Sequence, residues 1–397
     1  MSLVRGGPSQ AVLEAVGALR RLGVDAEIAT TNDDGPEVLD VPIGILTCWQ
    51  GAPVHFFRRF SPTVRPVREF AFSVGLTTWL WKHIQDYDLM HVHALFSYSS
   101  SAAMLVARAK RVPFLNRPSG LLCRWSLQQS PVRKRAFLRL FDRANLNASA
   151  ALEYTADQEK EESRDVGLRA PAVVLPYGLH LPLEIADARA RLRRQLQLAP
   201  DEPIVLFMSR LHVKKGLDTL IEALEKLASR RFTLVVAGRG APDYELAVRT
   251  RACAGPLRDR THFLGFVQGE FKQLLLQGAD LFALPSFSES FAIVVMEAIA
   301  AGTPVVTTPG VPLAVLIEKF DLGWVAPPNP GLVASALDEA LSSLKDPDAG
   351  DLRRARSRSL AERNFSWETI ARRLTALYEA VLTRKPLPSF ELSSVAL

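Results

Sequence analysis

Two glutamates, Glu289 and Glu297, stand eight residues apart directly after the apolar run LFALPS. If a helix opens here, this spacing separates the two carboxylates by about 80° around the helix axis, so both lie toward one side. A carboxylate accepts hydrogen bonds from two hydroxyl groups, and ligands often bind beyond the carboxyl end of a buried strand. A pair with this spacing arises easily by coincidence. Its position between a strand and a helix, followed by AIAAGTPVV, favours a site for a polyhydroxylated ligand.

A second group of polar side chains lies in the segment SRLHVKKG, residues 209–216, which follows the apolar run PIVLFM. Arg210 can form two parallel hydrogen bonds to a diphosphate, and Lys215 adds a mobile positive charge. Backbone N–H groups at the start of the next helix would complete an anion site. The alternative is an ordinary solvated basic turn. The acidic pair in the same half of the chain favours the anion site.

The elements that must position these side chains alternate between apolar strands and helices. Helical apolar spacing, as in 216–229 and 290–301, separates most of the strands. Nearly continuous apolar strands with helical crossovers are typical of parallel sheets covered on both faces. The predicted fold class is α/β, with two Rossmann-like, doubly wound domains. The predicted strands are 25–31, 54–58, 89–94, 112–117, 148–155, 173–175, 204–209, 233–238, 262–266, 281–285, 304–308 and 324–326.

The predicted domain boundary lies near Pro182, where LPYGLHLPLE leads into a charged helix. Residues 1–181 and 182–365 are expected to form one domain each. Residues 366–385 are expected to form an amphipathic helix that packs across to the N-terminal domain. Only MSLV precedes Arg5-Gly6-Gly7-Pro8, so the first strand of the N-terminal domain is expected to be missing or truncated. Either the start lies upstream, or that sheet has a gap with unpaired edges.

Composition narrows the class of protein. Of 397 residues, 48% are hydrophobic and 23% are charged, which is typical of a globular protein and excludes a disordered, collagen-like or coiled-coil chain. No apolar run reaches the ~18 residues of a membrane-spanning helix, and the N-terminus has no signal-peptide pattern. The three cysteines include no CxxC pair, which argues against a disulfide framework or a zinc site. A cytoplasmic location is therefore predicted.

The net charge of +6 is concentrated in one region of the chain. Residues 108–143 carry ten basic side chains and one acid, Asp142. Solvated helix faces would explain such a run. The alternative is a basic surface for an anionic membrane or a phosphate-bearing substrate, with Trp125 at the lipid interface. Nucleic acid is not expected as a partner, because the basic residues are not interleaved with stacking aromatic residues and no recognition motif is present.

The motifs together resemble one known family, the retaining GT-B glycosyltransferases of family 4, also called group 1. The resemblance covers the chain from Gly6 to about Tyr378. It implies a GT-B fold, in which an acceptor-side domain and a nucleotide-sugar-binding domain face a central cleft. The motifs that carry it are R-x4-K-G at 210–216, G-F-V at 265–267, P-S-x-x-E-x-F-x5-E at 285–297 and A-x-G-T-P-V-V at 300–306.

The resemblance also implies roles for individual residues. Arg210 and Lys215 would hold the donor diphosphate. Glu297 would accept the ribose hydroxyls, and Glu289 would be the catalytic residue, binding sugar hydroxyls at the reacting centre. Further implied donor contacts are Phe291, Ala292, the main chain near Val267, and Gly7 with Gly6 at the start of the first helix. His93, Arg117 and Ser119 are implied, more weakly, on the acceptor side.

Three positions depart from the family pattern. Ser119 stands where many relatives have the histidine of R-P-H-G, and Tyr177 stands where P-N-G is usual. Ala292 replaces the glycine of E-x-F-G. The serine can hydrogen-bond a sugar hydroxyl but carries no charge. The methyl group of the alanine is expected to crowd the site if its N–H contacts the ligand.

Two patterns suggest a metal site, and neither is favoured. His91 and His93 point to one face of a strand, but no third ligand is suitably spaced. The D-x-D triplets at 86–88 and 346–348 lack the strand context of a metal clamp. No metal and no other cofactor is therefore expected. Basic side chains and helix N-termini must then stabilise the leaving diphosphate.

The predicted function is a retaining, metal-independent hexosyltransferase that uses a nucleotide diphosphate sugar as donor. The expected acceptor is a glycan or lipid-linked chain in exopolysaccharide, O-antigen or lipopolysaccharide synthesis, reached at the inner face of the plasma membrane. One alternative is a catalytically weak or silent relative that binds a nucleotide-sugar or a partner. A second alternative is a nucleotide-sugar epimerase. The sequence does not determine the base, the sugar or the linkage.

Overall fold

The computed structural model describes residues 7–64, 68 and 70–390, and it divides into two compact units. The first unit runs to Gly178 and is completed by residues from Trp367 onward. The second unit is Leu179–Ser366. In both units parallel strands alternate with helices, which confirms the predicted α/β class.

The first unit contains two larger sheets and a short hairpin. β1 pairs in parallel with β5, and β4 pairs with β5 in the antiparallel direction. β6, β7, β8 and β9 form a parallel four-stranded sheet in that order. The bounds are β1 Ile28–Thr31, β2 Asp33–Asp34, β3 Glu37–Val38, β4 Leu46–Trp49, β5 Ala52–Phe57, β6 Met90–His93, β7 Phe114–Arg117, β8 Ala151–Tyr154 and β9 Ala172–Val174.

The two larger sheets of the first unit are separate within the described residues. β1 ends one sheet and β6 ends the other, and no described strand pairs with the outer edge of either. Among the described residues, each sheet therefore has no strand partner at that edge. The first strand of this domain, expected to be missing or truncated, would fall on residues 1–6, which lie outside the described part of the chain.

The helices of the first unit pack apolar faces against these sheets. Serine side chains cap the N-termini of two of these helices. Ser73 Oγ accepts a hydrogen bond from Leu76 N, and Ser97 Oγ accepts one from Ser100 N. A π-helical turn, Leu138–Asp142, joins α5 to α6. The bounds are α1 Gly7–Arg21, α2 Val74–His83, α3 Tyr98–Lys110, α4 Arg124–Gln128, α5 Pro131–Phe137, α6 Arg143–Ala148 and α7 Asp157–Ser163.

The second unit is built on one parallel sheet of six strands, ordered β12-β11-β10-β13-β14-β15. Its central strands are buried throughout, which explains their nearly continuous apolar sequences. The order reverses between β10 and β13, and ligands of such sheets bind beyond the carboxyl ends at this point. The bounds are β10 Ile204–Met208, β11 Thr233–Ala237, β12 Thr261–Gly265, β13 Leu281–Leu284, β14 Val305–Thr307 and β15 Gly323–Val325.

Amphipathic helices connect the strands of the second unit. In α9, Leu217, Leu220, Ile221 and Leu224 form one buried stripe at helical spacing. The bounds are α8 Ala188–Gln195, α9 Leu217–Lys226, α10 Pro242–Ala254, α11 Gly269–Gly278, α12 Ile293–Ala301, α13 Ala314–Lys319, α14 Pro330–Ser343 and α15 Pro347–Phe365.

The last helix, α16 (Trp367–Leu382), belongs to the first unit. Leu377 on this helix packs with Leu115, Ala151 and Val173 of the four-stranded sheet. The hydroxyl of Tyr378 lies 2.9 Å from Nδ1 of His91 on β6. This helix therefore covers one face of that sheet.

No helix within the described residues is both long and apolar enough to span a bilayer. The three cysteines Cys48, Cys123 and Cys253 are all free thiols.

Candidate active site

Lys215 and Glu289 form the central contact of the candidate site. The lysine Nζ lies 2.6 Å from Oε1 and 2.8 Å from Oε2 of the glutamate. The hydroxyl of the buried Ser286 donates a third hydrogen bond to Oε1, at 2.7 Å. Both charged side chains are mostly buried. Charge-assisted hydrogen bonds of this length fix the positions of both groups.

The contact forms because two neighbouring parallel strands end side by side. Lys215 ends a 3-10 turn, Val213–Lys215, that follows β10, and Glu289 follows β13. The two loops are joined by a hydrogen bond from the backbone N–H of Phe287 to the carbonyl of Lys214. The backbone N–H of Glu289 donates to the carbonyl of Gly310, at 2.7 Å. The loop that carries the carboxylate is thus held at both of its sides.

Gly216 is required by the close approach of the two loops. Its φ is +72°, and a Cβ at this position would lie 2.1 Å from the carbonyl oxygen of Pro285. Only glycine combines this backbone conformation with that contact. Gly216 therefore allows Lys215 to reach Glu289.

Arg210 lies at the same edge of the sheet. It follows β10 by two residues and is exposed, and within the described residues no carboxylate pairs with it. Partial burial of His212, followed by the charges of Arg210, Lys214 and Lys215, lowers the pKa of this histidine. The turn is thus electropositive and carries a guanidinium that can bind an anion.

Glu297 lies on α12 and pairs with Lys272 of α11. Their Nζ and Oε1 atoms are 2.6 Å apart, and both side chains are partly exposed. Lys272 was not predicted as a site residue, since no motif marks it. The prediction that one helix carries both glutamates is wrong, because α12 begins at Ile293 and Glu289 lies in the preceding loop.

The backbone just before α12 explains where this helix begins. Ala292 has φ +66° and ψ +65°, a left-handed conformation that an alanine rarely adopts. A helix cannot extend back through such a residue. Phe291 is buried, so its side chain packs in the protein, and Ala292 is buried as well.

Val267 follows β12 and is half-buried, next to the exposed aromatic ring of Phe266. The helix α11, which carries Lys272, begins two residues later at Gly269. The segment therefore links the carboxyl end of β12 to the helix that contacts Glu297. The predicted residues of the second unit thus follow three strands, β10, β12 and β13, at one edge of a parallel sheet.

The predicted acceptor-side residues His93 and Arg117 lie in a buried polar cluster of the first unit. Arg117 is buried and forms a close ion pair with Glu153 on the adjacent strand. Its guanidinium also donates to the carbonyl of Leu175, at 3.2 Å. These contacts join β7 to Glu153 of β8 and to the segment after β9. The location of Arg117 inside the sheet face does not present the guanidinium to solvent.

The two histidines of β6 stack within this cluster. The rings of His91 and His93 have centroids 4.3 Å apart. Burial, followed by the charge of Arg117, lowers the pKa of His91 to about 3. Burial also lowers the pKa of His93, together with the neighbouring His91 and Arg117. Both imidazoles are therefore neutral at pH 7.

Ser119 lies in the turn that follows β7, and Tyr177 lies in the segment after β9. The tyrosine hydroxyl donates a hydrogen bond to Oγ of Ser119, at 3.2 Å. Ser119 has φ +55°, and Gly120, which follows it, has φ +79°. The Gly120 N–H is bound by the buried carboxylate of Glu159. Strained backbone held by buried partners is frequent at functional sites.

Gly7 is the first residue of α1 and is exposed, while Gly6 lies outside the described residues. The predicted approach of this helix to a phosphate stays a prediction. In the described part of the chain, no group of three or more His, Cys, Asp and Glu side chains is arranged to hold a metal ion.

Each half of the chain matches the model of a known protein family. Residues 188–378 match the family model of the group 1 glycosyl transferases, and residues 6–178 match that of the glycosyl transferase 4-like domain. The D-inositol 3-phosphate glycosyltransferase of Xylanimonas cellulosilytica is 30% identical, over 96% of this chain and 93% of the relative. That of Mycolicibacterium smegmatis is 27% identical, over 97% and 89%.

Solved structures share the fold at lower identity. HepE of Anabaena, in complex with UDP and glucose, aligns with a TM-score of 0.71 and 20% identity, over 93% of this chain and 95% of that chain. Sucrose-phosphate synthase of Thermosynechococcus elongatus aligns with a TM-score of 0.74 and 21% identity, over 96% and 94%.

The glycosyltransferase motifs thus lie at the carboxyl edge of the second unit's sheet, and both halves of the chain match models of such enzymes. The Xylanimonas cellulosilytica relative is similar along nearly its whole length at 30% identity, so both matched regions belong to one glycosyltransferase. The chain belongs to the group 1 glycosyltransferases, with the GT-B fold.

Proposed function

We propose that this glycosyltransferase moves a hexose from a nucleotide diphosphate sugar to an acceptor hydroxyl, with retention of the anomeric configuration and without a metal. The observation that carries the proposal is the Lys215–Glu289 contact at the carboxyl ends of β10 and β13, with Arg210 exposed on the same turn. A cation and a carboxylate side by side suit a donor that joins a diphosphate to a sugar.

The diphosphate would be bound by Arg210 and Lys215. Two positive charges, set in an electropositive turn, can offset the charge that develops on the leaving group, which is the role a divalent cation would otherwise take. The ammonium of Lys215 has three donors, so it can bind a phosphate oxygen while it keeps a bond to Glu289.

The remaining donor contacts would be made by residues at the same edge of the sheet. Glu289 would accept hydrogen bonds from sugar hydroxyls at the reacting centre, and Glu297 would accept them from the ribose. The main chain near Val267 would contact the base. Lys272 would hold the carboxylate of Glu297 in position through the contact of 2.6 Å.

Retention requires the acceptor to bond on the face that the leaving group vacates. The bond from C1 to the phosphate oxygen breaks, and its electron pair leaves on the diphosphate. The acceptor oxygen forms the new bond to C1. Its proton passes to the departing phosphate oxygen, which lies on the same face. Arg210 and Lys215 stabilise the diphosphate during this step.

The acceptor is proposed to be a glycan or a lipid-linked chain of a cell-surface polysaccharide, reached at the cytoplasmic face of the plasma membrane. A second candidate acceptor is an inositol phosphate. It is favoured by the relatives, which are named D-inositol 3-phosphate glycosyltransferases. Both candidates offer hydroxyl groups that could accept the hexose.

A thermal-shift panel of nucleoside diphosphates and their sugars, with and without EDTA, tests the donor. Stabilisation follows RT ln(1 + [L]/Kd), so the donor at a hundred times its Kd adds about 2.7 kcal/mol. The selected donor is then incubated with lipid-linked and inositol phosphate acceptors, and the anomeric configuration of the product is read by NMR.

Turnover in EDTA with a retained anomer is expected. An inverted anomer or a requirement for metal would contradict the proposed mechanism. Donor binding without transfer to any acceptor would favour the silent relative, and epimer formation without acceptor would favour the epimerase.

A further inference from the structure

The helical segment 131–148 of the first unit presents apolar side chains to solvent. Val132, Leu140 and Phe141 have 77%, 72% and 58% of their surface exposed. Val132, Ala136 and Leu140 repeat every four residues, so they form a ridge along one helix face. Within the described residues nothing covers this ridge.

The π-helical turn Leu138–Asp142 creates the exposed end of the ridge. Leu138 and Asp142 point inward and are buried, whereas Leu140 and Phe141 between them both point outward. A π-helical turn is rare and is found mostly at functional sites. Here it places two large apolar side chains next to each other at the surface.

The same face carries a net positive charge. Arg133, Arg135 and Arg139 are exposed, and within the described residues no carboxylate pairs with them. The only acid of the segment is Asp142, which is buried and accepts a hydrogen bond of 2.7 Å from Ser101 Oγ. Its charge is therefore directed into the protein and does not offset the arginines.

The inner face of the segment is firmly packed. Phe137 contacts the rings of Phe70 and Phe96, with centroids 5.7 and 6.0 Å apart. Lys134 Nζ donates a hydrogen bond of 2.7 Å to the carbonyl of Ser126. The outer face is thus held in place by the fold. Phe141 contacts the ring of Phe137, with centroids 5.1 Å apart, and still has 58% of its surface exposed.

We propose that this face, defined by Val132, Leu140 and Phe141 with Arg133, Arg135 and Arg139, is the surface by which the enzyme docks on an anionic bilayer. The apolar ridge would enter the boundary between head groups and acyl chains, and the arginines would bind lipid phosphates. This proposal rests on the proposed function, because a membrane surface would bring a lipid-linked acceptor to the enzyme.

Charge and shape together favour a bilayer over a protein partner. Arginines border the ridge and, within segment 131–148, no exposed acid interrupts them, which matches a uniformly anionic surface. Each such arginine increases the affinity for an anionic surface about fivefold, so three together give on the order of a hundredfold.

The test is flotation of the purified full chain with two kinds of vesicle. One kind is phosphatidylcholine alone, and the other also contains about 30 mole per cent phosphatidylglycerol. Wild-type protein should float with the anionic vesicles at low salt and not with phosphatidylcholine alone. The paired change Leu140→Ser and Phe141→Ser should weaken binding at least about tenfold. The triple change of Arg133, Arg135 and Arg139 to Gln should weaken it by on the order of a hundredfold.

Matched control variants lie in the second unit. The helix α8 carries three exposed arginines, Arg189, Arg191 and Arg194, and their change to Gln removes the same charge. Leu246→Ser removes an apolar side chain that is 67% exposed. Neither control should alter binding to vesicles.

Wild-type protein that stays unbound, or ridge variants that bind as well as wild type, would overturn the proposal. So would a dimer in solution that the ridge variants convert to a monomer, since the face would then bind a second copy. The thermal midpoint of each variant checks folding. The shift by the donor nucleotide without vesicles checks the proposed function separately, so the two can fail independently.

Discussion

The hydroxyl of Tyr177 donates a hydrogen bond of 3.2 Å to Oγ of Ser119. These are the two positions of the first unit that depart from the family pattern, and they contact each other. The ring of Tyr177 also packs under the guanidinium of Arg117, 4.8 Å from the ring centroid. The two departures therefore form one local arrangement after the ends of β7 and β9.

Replacing Tyr177 with Phe removes the hydroxyl and keeps the ring. The unfolding free energy should fall by about 1 kcal/mol, because a buried hydrogen bond contributes roughly this amount. Urea denaturation measures the change. In a double-mutant cycle with Ser119→Ala, the two effects should be less than additive by about 1 kcal/mol. Strict additivity would mean that the contact does not contribute to stability.

The left-handed backbone of Ala292 makes a different prediction. Alanine at φ +66° costs about 1 kcal/mol or more relative to glycine in the same conformation. Ala292→Gly should therefore raise the unfolding free energy by about 1 kcal/mol, and donor affinity should be equal or higher because the methyl group is removed. Denaturation and calorimetry measure the two effects. A loss of stability would show that the alanine conformation is not strained.

Gly216 should tolerate no side chain. Gly216→Ala places Cβ against the carbonyl of Pro285, so it combines backbone strain with a clash. Gly269→Ala is the matched control, because its φ is +61° and its Cβ would meet nothing within 4 Å. The first change should destabilise the protein by at least about 2 kcal/mol more than the second. Equal effects would contradict the close approach of the two loops.

Lys215→Ala removes the cation from the centre of the site. If it stabilises the leaving diphosphate, kcat/KM with the selected donor should fall by about 10² to 10³. Lys214→Ala, one residue away, is the control and should keep nearly full activity. A Lys215→Ala enzyme that is folded by circular dichroism and turns over at the wild-type rate would exclude the role.

Much of the fold follows from the sequence because its strands are buried and its helices amphipathic. Each of the twelve predicted strands overlaps a strand of the structure, with ends that shift by a few residues. The hairpin β2–β3 and the antiparallel strand β4 were missed. Strands of two residues are too short to show a periodicity. The four residues of β4 alternate between exposed and half-buried, so no buried apolar run marks this strand.

The candidate site was predictable where a motif marks it and not where contacts are distant in sequence. Lys215 and Glu289 were identified from residue type and strand context. Lys272 and the contact between Tyr177 and Ser119 were not, because pairing across 25 and 58 residues leaves no local pattern. The start of α12 was misplaced since the sequence does not reveal that Ala292 is left-handed.

Calorimetric titration of Arg210→Gln with the selected nucleotide diphosphate sugar tests the central claim most directly. Arg210 is exposed and no described carboxylate pairs with it, so the substitution should leave the unfolding free energy unchanged. Arg258→Gln, another exposed arginine of the second unit, is the control. A donor affinity about ten to a hundred times weaker for Arg210→Gln alone is expected. Equal affinity in wild type and both variants would contradict a diphosphate at the end of β10.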